Sequence, residues 1–240
     1  KENRDQYIDL INTMEATEVQ GNYSIKPTMF GLLLDKQTCS GYMRDIVAAA
    51  AGHGNFVRID MENSPTVDDT IAIFRRIKAE FPKNVGLVLQ AYLKRTRSDI
   101  EAMLDLKSDD ADLNFRLCKG IYVEHPSIAY KKYEEINAHY LEDLEFMFQN
   151  GIYPGIATHD KPLIEGALNL IKKYNVPKDR YEFQMLYGVT PKQRQSLADA
   201  GHKVRVYVPF GEHWFGYSTR RLKENPAMVT HIVKALFAKG

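Results

Sequence analysis

The residues best suited to chemistry in this chain stand late in short β-rich runs: Lys26, Asp60, Gln90, Lys119, Thr158 with His159, Gln184 and Tyr207. A second group, Tyr217, Arg220, Arg221 and Glu224, is spaced i, i+3, i+4 and i+7, so on a helix it forms one stripe. Apolar residues normally fill such a stripe. Two adjacent guanidiniums repel each other, and their planar forks suit a carboxylate or phosphate held bidentately, so a shared anion explains the pair, with Glu224 in reach to orient both. A solvated basic face accounts for the same spacing. Lys26 and Lys119 offer a different chemistry, since a desolvated lysine can act as an amine nucleophile.

Seven β-rich runs must position these groups: 23–27, 56–61, 85–91, 115–120, 153–158, 181–186 and 203–210. Amphipathic stretches alternate with them. Ser64-Pro65 starts a helix with Ile71, Phe74 and Ile77 on one face, Ser98 with Glu101 reads as a capping box, and Thr190-Pro191 starts another helix. Gly151 and Gly201 suit left-handed positions just past helix ends. Strand–helix alternation implies a parallel sheet with right-handed crossovers, either a TIM-type barrel or a doubly wound sheet.

The strands favour the barrel. Strands in open parallel sheets are usually apolar on both faces, whereas here Arg58 shares a face with Asp60, Arg116 with Cys118, Glu182 with Gln184 and Leu186, and Arg205 with Tyr207. In a barrel the apolar face meets the helices and the polar face lines the lumen. Buried charges are costly unless paired or used, and active sites of α/β barrels lie at the C-terminal strand ends, so these polar groups converge on one mouth.

Composition narrows the function classes. With 32 Lys+Arg against 31 Asp+Glu, the net charge of +1 gives no basic field for nucleic acid. No apolar run reaches the roughly eighteen residues of a spanning helix, so a soluble cytoplasmic chain is expected. Cys39 and Cys118 stand far apart with no partner at metal-ligand spacing, so neither a disulfide framework nor a metal site is expected. No linker or compositional break divides the 240 residues, which reads as one domain over 1–240.

Eight ordered motifs resemble the proline dehydrogenases: Ser24-Ile25-Lys26-Pro27-Thr28, Val57-Arg58-Ile59-Asp60-Met61-Glu62, Leu89-Gln90-Ala91-Tyr92-Leu93, Arg116-Leu117-Cys118-Lys119-Gly120-Ile121-Tyr122, Ala157-Thr158-His159-Asp160, Glu182-Phe183-Gln184-Met185-Leu186-Tyr187-Gly188, Tyr207-Val208-Pro209-Phe210-Gly211 and the segment from Tyr217 to Glu224. The resemblance covers essentially the whole chain and is to the monofunctional bacterial type. It implies an FAD-dependent (βα)8 barrel that oxidises L-proline to Δ1-pyrroline-5-carboxylate, the first step of proline catabolism. Electrons would pass to a membrane quinone through peripheral membrane contact, and product to a separate pyrroline-5-carboxylate dehydrogenase.

The resemblance also implies roles. Lys26, Arg220 and Arg221 would clamp the substrate carboxylate, Tyr207 would pack on the proline ring, Leu186 would add apolar wall, and Tyr217 and Glu224 would orient the doublet. Asp60 would pair with Lys26, and Arg116 would stand beside the reactive edge of the flavin. Met61, Gln90, Lys119, Gly120, Ile121, Thr158 and His159 match positions that contact FAD, Gly120 by letting the backbone approach closely. Cys118, Ile121, Pro27 and Thr28 depart from the family's commoner residues and touch packing more than charge.

The family barrel has eight strands, so the chain is expected to lack the first strand and an N-terminal portion of the domain, with helix 217–224 over the mouth. The family's gating glutamate precedes the matched segments and does not carry over. Two other readings fit the residues: a Schiff-base lyase using Lys26 or Lys119, and an inactive fragment or scaffold.

Overall fold

The structure, a computed structural model, describes residues 1–18, 21–209 and 211. Seven strands alternate with seven helices in the order α1 (Glu2–Ala16), β1 (Asn22–Ile25), α2 (Lys36–Gly52), β2 (Phe56–Ile59), α3 (Val67–Glu80), β3 (Val85–Gln90), α4 (Thr96–Ala102), β4 (Asn114–Cys118), α5 (Tyr133–Gln149), β5 (Tyr153–Ala157), α6 (Lys161–Lys173), β6 (Glu182–Leu186), α7 (Pro191–Asp199) and β7 (Val204–Tyr207). Each strand falls inside or within one residue of its predicted run.

All six pairings are parallel and each strand lies beside the next in sequence. A doubly wound sheet reverses strand order at a switch point, so this order excludes it. The sheet curls: from the central strand β4, Arg116 reaches Ser24 on β1, Asp60 beyond β2 and Gln184 on β6, and its guanidinium carbon stands 5.4 Å from the Tyr207 ring centre on β7. The result is a half-barrel. Among the described residues β1 and β7 are edges not paired to each other, and there is no eighth strand, so closure into a full (βα)8 barrel is not seen.

Alternation along the strands sorts the two faces. Ile25, Val57, Ile59, Leu87, Phe115 and Phe183 are fully buried in the outer apolar layer with α2, α3, α5 and α6, each contributing roughly 1.5–3 kcal/mol of burial energy. The lumen face carries Ser24, Arg58, Arg116, Glu182, Gln184 and Arg205. Arg58 is fully buried; its Nη1 donates to the Asn114 carbonyl at 3.0 Å and its Nη2 to Asn114 Oδ1 at 2.6 Å. Gly86, between them in register, makes this crossing possible: a Cβ there would lie 2.5 Å from the Asn114 carbonyl oxygen and 2.7 Å from Arg58 Nη1. Gly86→Ala is therefore expected to cost about 1–3 kcal/mol through overpacking, read as a lowered Tm in thermal unfolding. An unchanged Tm would refute this packing account.

Local signals met mixed outcomes. Gly151 and Gly201 take φ of 63° and 77° just past α5 and α7, as expected. Ser64-Pro65 opens a 3-10 turn, Ser64–Thr66, that leads into α3, where Ile73, Phe74 and Ile77 are buried and Ile71 only partly. The capping box at Ser98 is not formed. α4 begins three residues earlier, with Arg95 in the N-cap place, Ser98 Oγ donates back to the Arg95 carbonyl, and an Arg95–Asp99 ion pair spans that turn. No helix of the described residues is long and apolar enough to cross a membrane.

Candidate active site

Parallel strands bring their C-terminal ends to one rim, and the polar residues singled out from the sequence gather there. Arg116, 8% exposed, is the centre. Its Nη1 donates to Asp60 Oδ1 at 3.0 Å, its Nη2 to Ser24 Oγ at 3.0 Å, and its Nε to Gln184 Oε1. Three separate acceptors therefore fix one guanidinium plane. Asp60, expected beside Lys26, pairs with Arg116, because the curled sheet brings the β4 side chain across the lumen to the end of β2. Beside them the Tyr7 hydroxyl donates to the Ser24 carbonyl at 2.9 Å; burial, then the Asp60 charge, pushes it up to about 12.

Below this layer Glu182 gathers the lumen cations. Its Oε1 and Oε2 each accept from Arg205 at 2.8 Å, and Lys203 Nζ stands 3.5 Å away. Burial alone would raise the carboxyl; the bond to Arg205 and the charges of Arg205, Arg58 and Lys203 overcome it and hold it at about 2. Arg58 moves the other way, down to about 9, because burial and then the Arg116 charge disfavour its cation. It remains protonated at neutral pH.

Lys26 follows β1, half-buried, and leads into the 3-10 turn Pro27–Phe30. The turn is pinned by buried Glu62, which accepts from Thr28 N at 2.9 Å and Thr28 Oγ1 at 2.7 Å. Gln90 Nε2 donates to the Glu62 carbonyl at 2.8 Å, while Gln90 Oε1 is buried with no hydrogen-bond partner among the described residues. That orphaned acceptor on a 2%-exposed residue suits a ligand N–H.

The β4 and β5 ends form a second cluster. Lys119 pairs with Asp160 and lies 4.2 Å from the Tyr133 ring centre; Asp160 also accepts from the Tyr133 hydroxyl at 2.8 Å. Thr158 Oγ1 accepts from the Asp160 N–H. His159 Nε2 accepts from the Leu186 N–H at 3.1 Å, so in that bond the ring is neutral and its hydrogen sits on Nδ1, facing Thr190 Oγ1 at 3.1 Å. Thr190 takes a left-handed conformation, φ 43°, a strained arrangement for a β-branched residue that holds its hydroxyl to His159.

Gly120 takes φ 108° against the Tyr92 ring, which a Cβ at 120 would overlap. Met61 is buried beside Asp60, whereas Ile121 is exposed on the loop after β4. Tyr217, Arg220, Arg221 and Glu224 lie outside the described residues, as does the helix expected there. Sequence reasoning gave no site role to Glu62, Asp160 or Tyr133, and to Thr190 only that of starting a helix. Glu62 and Asp160 stood inside quoted motifs, as acids just beyond strand ends; Tyr133 and Thr190 carried no such signal. Among the described residues no group of three or more His, Cys, Asp or Glu side chains is placed to hold a metal.

A family model described as proline dehydrogenase matches residues 1–234. The chain belongs to the proline dehydrogenase family. It is 35% identical over 229 residues to proline dehydrogenase 1 of Bacillus subtilis subsp. natto, covering 95% of this chain and 74% of that protein. Proline dehydrogenase 2 of Bacillus subtilis is 34% identical over 239 residues, with 100% and 77% covered, and the Deinococcus radiodurans proline dehydrogenase 33% over 236 residues, with 97% and 74%. Proline utilization A of Bdellovibrio bacteriovorus, in a crystal structure inactivated by N-propargylglycine, superposes with a TM-score of 0.79 at 24% identity. That match covers 87% of this chain and 26% of the other, and supports the fold alone. Family membership leaves the place of the site and the role of each residue to the geometry.

Proposed function

We propose that the chain oxidises L-proline to Δ1-pyrroline-5-carboxylate, the first step of proline catabolism, with FAD as hydride acceptor and a membrane quinone as the next electron carrier. The observation that carries this reading is the rigid Arg116 cation at the mouth of a proline dehydrogenase half-barrel, with an orphaned acceptor, Gln90 Oε1, buried in the same rim. Those two features fit a flavin, whose ring offers an N–H donor and gathers negative charge on reduction. When bound, FAD supplies the two-electron acceptor.

The chain's own residues do the rest. Arg116 provides a fixed positive charge where negative charge develops, without reorganising during reaction, because three acceptors already hold it. Asp60, engaged with Arg116, positions that cation and is not the base; the substrate amine proton goes to solvent. Gln90, Met61, Lys119, Gly120, Ile121, Thr158 and His159 would contact the cofactor. Lys119 is engaged by Asp160, which gives the Schiff-base reading no support at that position.

Lys26, with Arg220 and Arg221, would hold the substrate carboxylate, with Tyr217 and Glu224 orienting the doublet. Tyr207 would pack on the ring, its face apolar and its tip polar, and Leu186 would close the wall. A full (βα)8 barrel would place its eighth strand between β1 and β7. Product would pass to a separate pyrroline-5-carboxylate dehydrogenase, and quinone reduction would call for peripheral membrane contact by a cytoplasmic protein.

One measurement tests cofactor, substrate and reaction together. Anaerobic addition of L-proline should bleach the flavin absorbance of the purified protein, and tetrahydrofuran-2-carboxylate, a proline mimic without the amine, should compete. Absence of a flavin band, or a band that proline leaves unchanged, would defeat the proposal. Borohydride trapping of substrate on Lys26 would support the lyase instead.

A further inference from the structure

We propose that Gln184 is a positioning residue that fixes the direction of the Arg116 guanidinium, and that Gly155 leaves the space its amide needs. The proposal rests on the flavin reading for its consequence, though not for its geometry. Gln184 lies on the lumen face of β6 and is 5% exposed. Its Oε1 accepts from Arg116 Nε, and its Nε2 donates to Glu182 Oε1 at 2.7 Å.

The amide can stand only one way round. A carboxylate accepts and does not donate, while a guanidinium donates and does not accept. Flipping the amide would set its NH2 against Arg116 and its oxygen against Glu182, losing both hydrogen bonds and adding two repulsions. Glu182 is itself immobilised by its two bonds to Arg205. The chain Arg205, Glu182, Gln184, Arg116 therefore runs from the ion pair of buried Glu182 with half-buried Arg205 to the mouth, with each polarity set by the last.

Gln184 is also the most buried of the three groups that aim Arg116. Asp60 retains 14% side-chain exposure at the rim. A partner at Nε restrains the guanidinium where it joins the aliphatic stem, so that Nη1 and Nη2 can both face Asp60 and Ser24.

Gly155 points to the same role from another strand. It sits in register between Arg116 on β4 and Glu182 on β6. A Cβ at 155 would overlap Gln184 Nε2, lie 3.0 Å from Gln184 Cδ and 3.5 Å from the Arg116 Cα. A single methyl there would displace the amide without touching the ion pairs of Glu182 or Asp60.

The test uses Gln184→Met, which keeps the side chain's length and removes its polarity, Gly155→Ala, and the double variant, all in the full chain. In FAD-loaded protein each variant should keep FAD affinity within about twofold. The equilibrium constant for reduction of the bound flavin should fall about tenfold, a shift of about 30 mV to lower potential for a two-electron couple. The double variant should be no worse than either single, because both break one link.

In FAD-free protein the Arg116 Nε–H resonance should exchange slowly with solvent in the parent and rapidly in both variants. Folded variants with parental potential and Nε–H protection would overturn the proposal, and so would additive effects in the double. If the parent takes up no FAD, the flavin reading falls while the Nε–H measurement still decides the role of Gln184. If one variant fails to fold by circular dichroism, the other decides; if both fail, the residues are structural supports and the proposal is wrong.

Discussion

Replacing Arg116 by methionine is expected to slow proline-dependent dye reduction by about a hundred- to a thousandfold while FAD stays bound. The magnitude is that of removing one preorganised charge-stabilising group from an active site, about 3–4 kcal/mol. Methionine matches the aliphatic stem and removes the cation, so Asp60 loses its ion-pair partner and Gln184 Oε1 its donor. The loss should fall on kcat, since the cation acts on charge that develops during reaction. Arg116→Lys is expected to recover roughly tenfold of the deficit: it restores the charge, but an ammonium cannot meet Gln184, Asp60 and Ser24 with three nitrogens in one plane. Stopped-flow reduction of the bound flavin by proline measures both. A methionine variant within a few-fold of the parent rate would remove Arg116 from the chemistry.

Much of this arrangement could be read from period-two alternation. Polar residues at every second position of 56–61, 115–120, 181–186 and 203–210 implied a polar lumen, and Arg58, Arg116, Glu182, Gln184 and Arg205 all line it. Strand-end position then placed Asp60, Gln90, Lys119 and His159 at one rim. Partner choice was less legible. Asp60 made chemical sense as a partner of Lys26, and its pairing with Arg116 follows from the curl of the sheet across three strands, a long-range property. The bond from the Leu186 N–H to His159 Nε2 was equally hidden, because it is set by the approach of the β6 end to the loop after β5, two segments distant in sequence. Ser98 failed as a cap because the Arg95–Asp99 pair and Thr96, whose hydroxyl donates to the Gln90 carbonyl, start α4 earlier. Gly86 and Gly155 show no periodicity at all. Their need arises only when neighbouring strands send a guanidinium or an amide across them.

Glu182→Gln carries the largest expected loss of stability, and its pH dependence separates charge from packing. The folded carboxyl titrates at about 2 against an ordinary 4.5, so folding favours the anion. That contribution is fully present above about pH 4.5 and is lost as pH falls through 4.5 toward 2. At about 1.4 kcal/mol for each unit, it amounts to about 3 kcal/mol at neutral pH, in the range found when one partner of a buried pair is removed. For a chain of this size the corresponding fall in Tm at pH 7 is about 10 °C.

Glutamine keeps the shape and a hydrogen-bond acceptor but leaves Arg205 and the buried Arg58 without their shared anion, so packing cannot repair the loss. The parent and variant stabilities should draw together as pH falls toward 2, where the parent's carboxyl is about half protonated, and converge below it. A gap of constant size from pH 7 to pH 2, followed by chemical denaturation, would assign the effect to shape alone and remove Glu182 as the charge that holds the lumen arginines together.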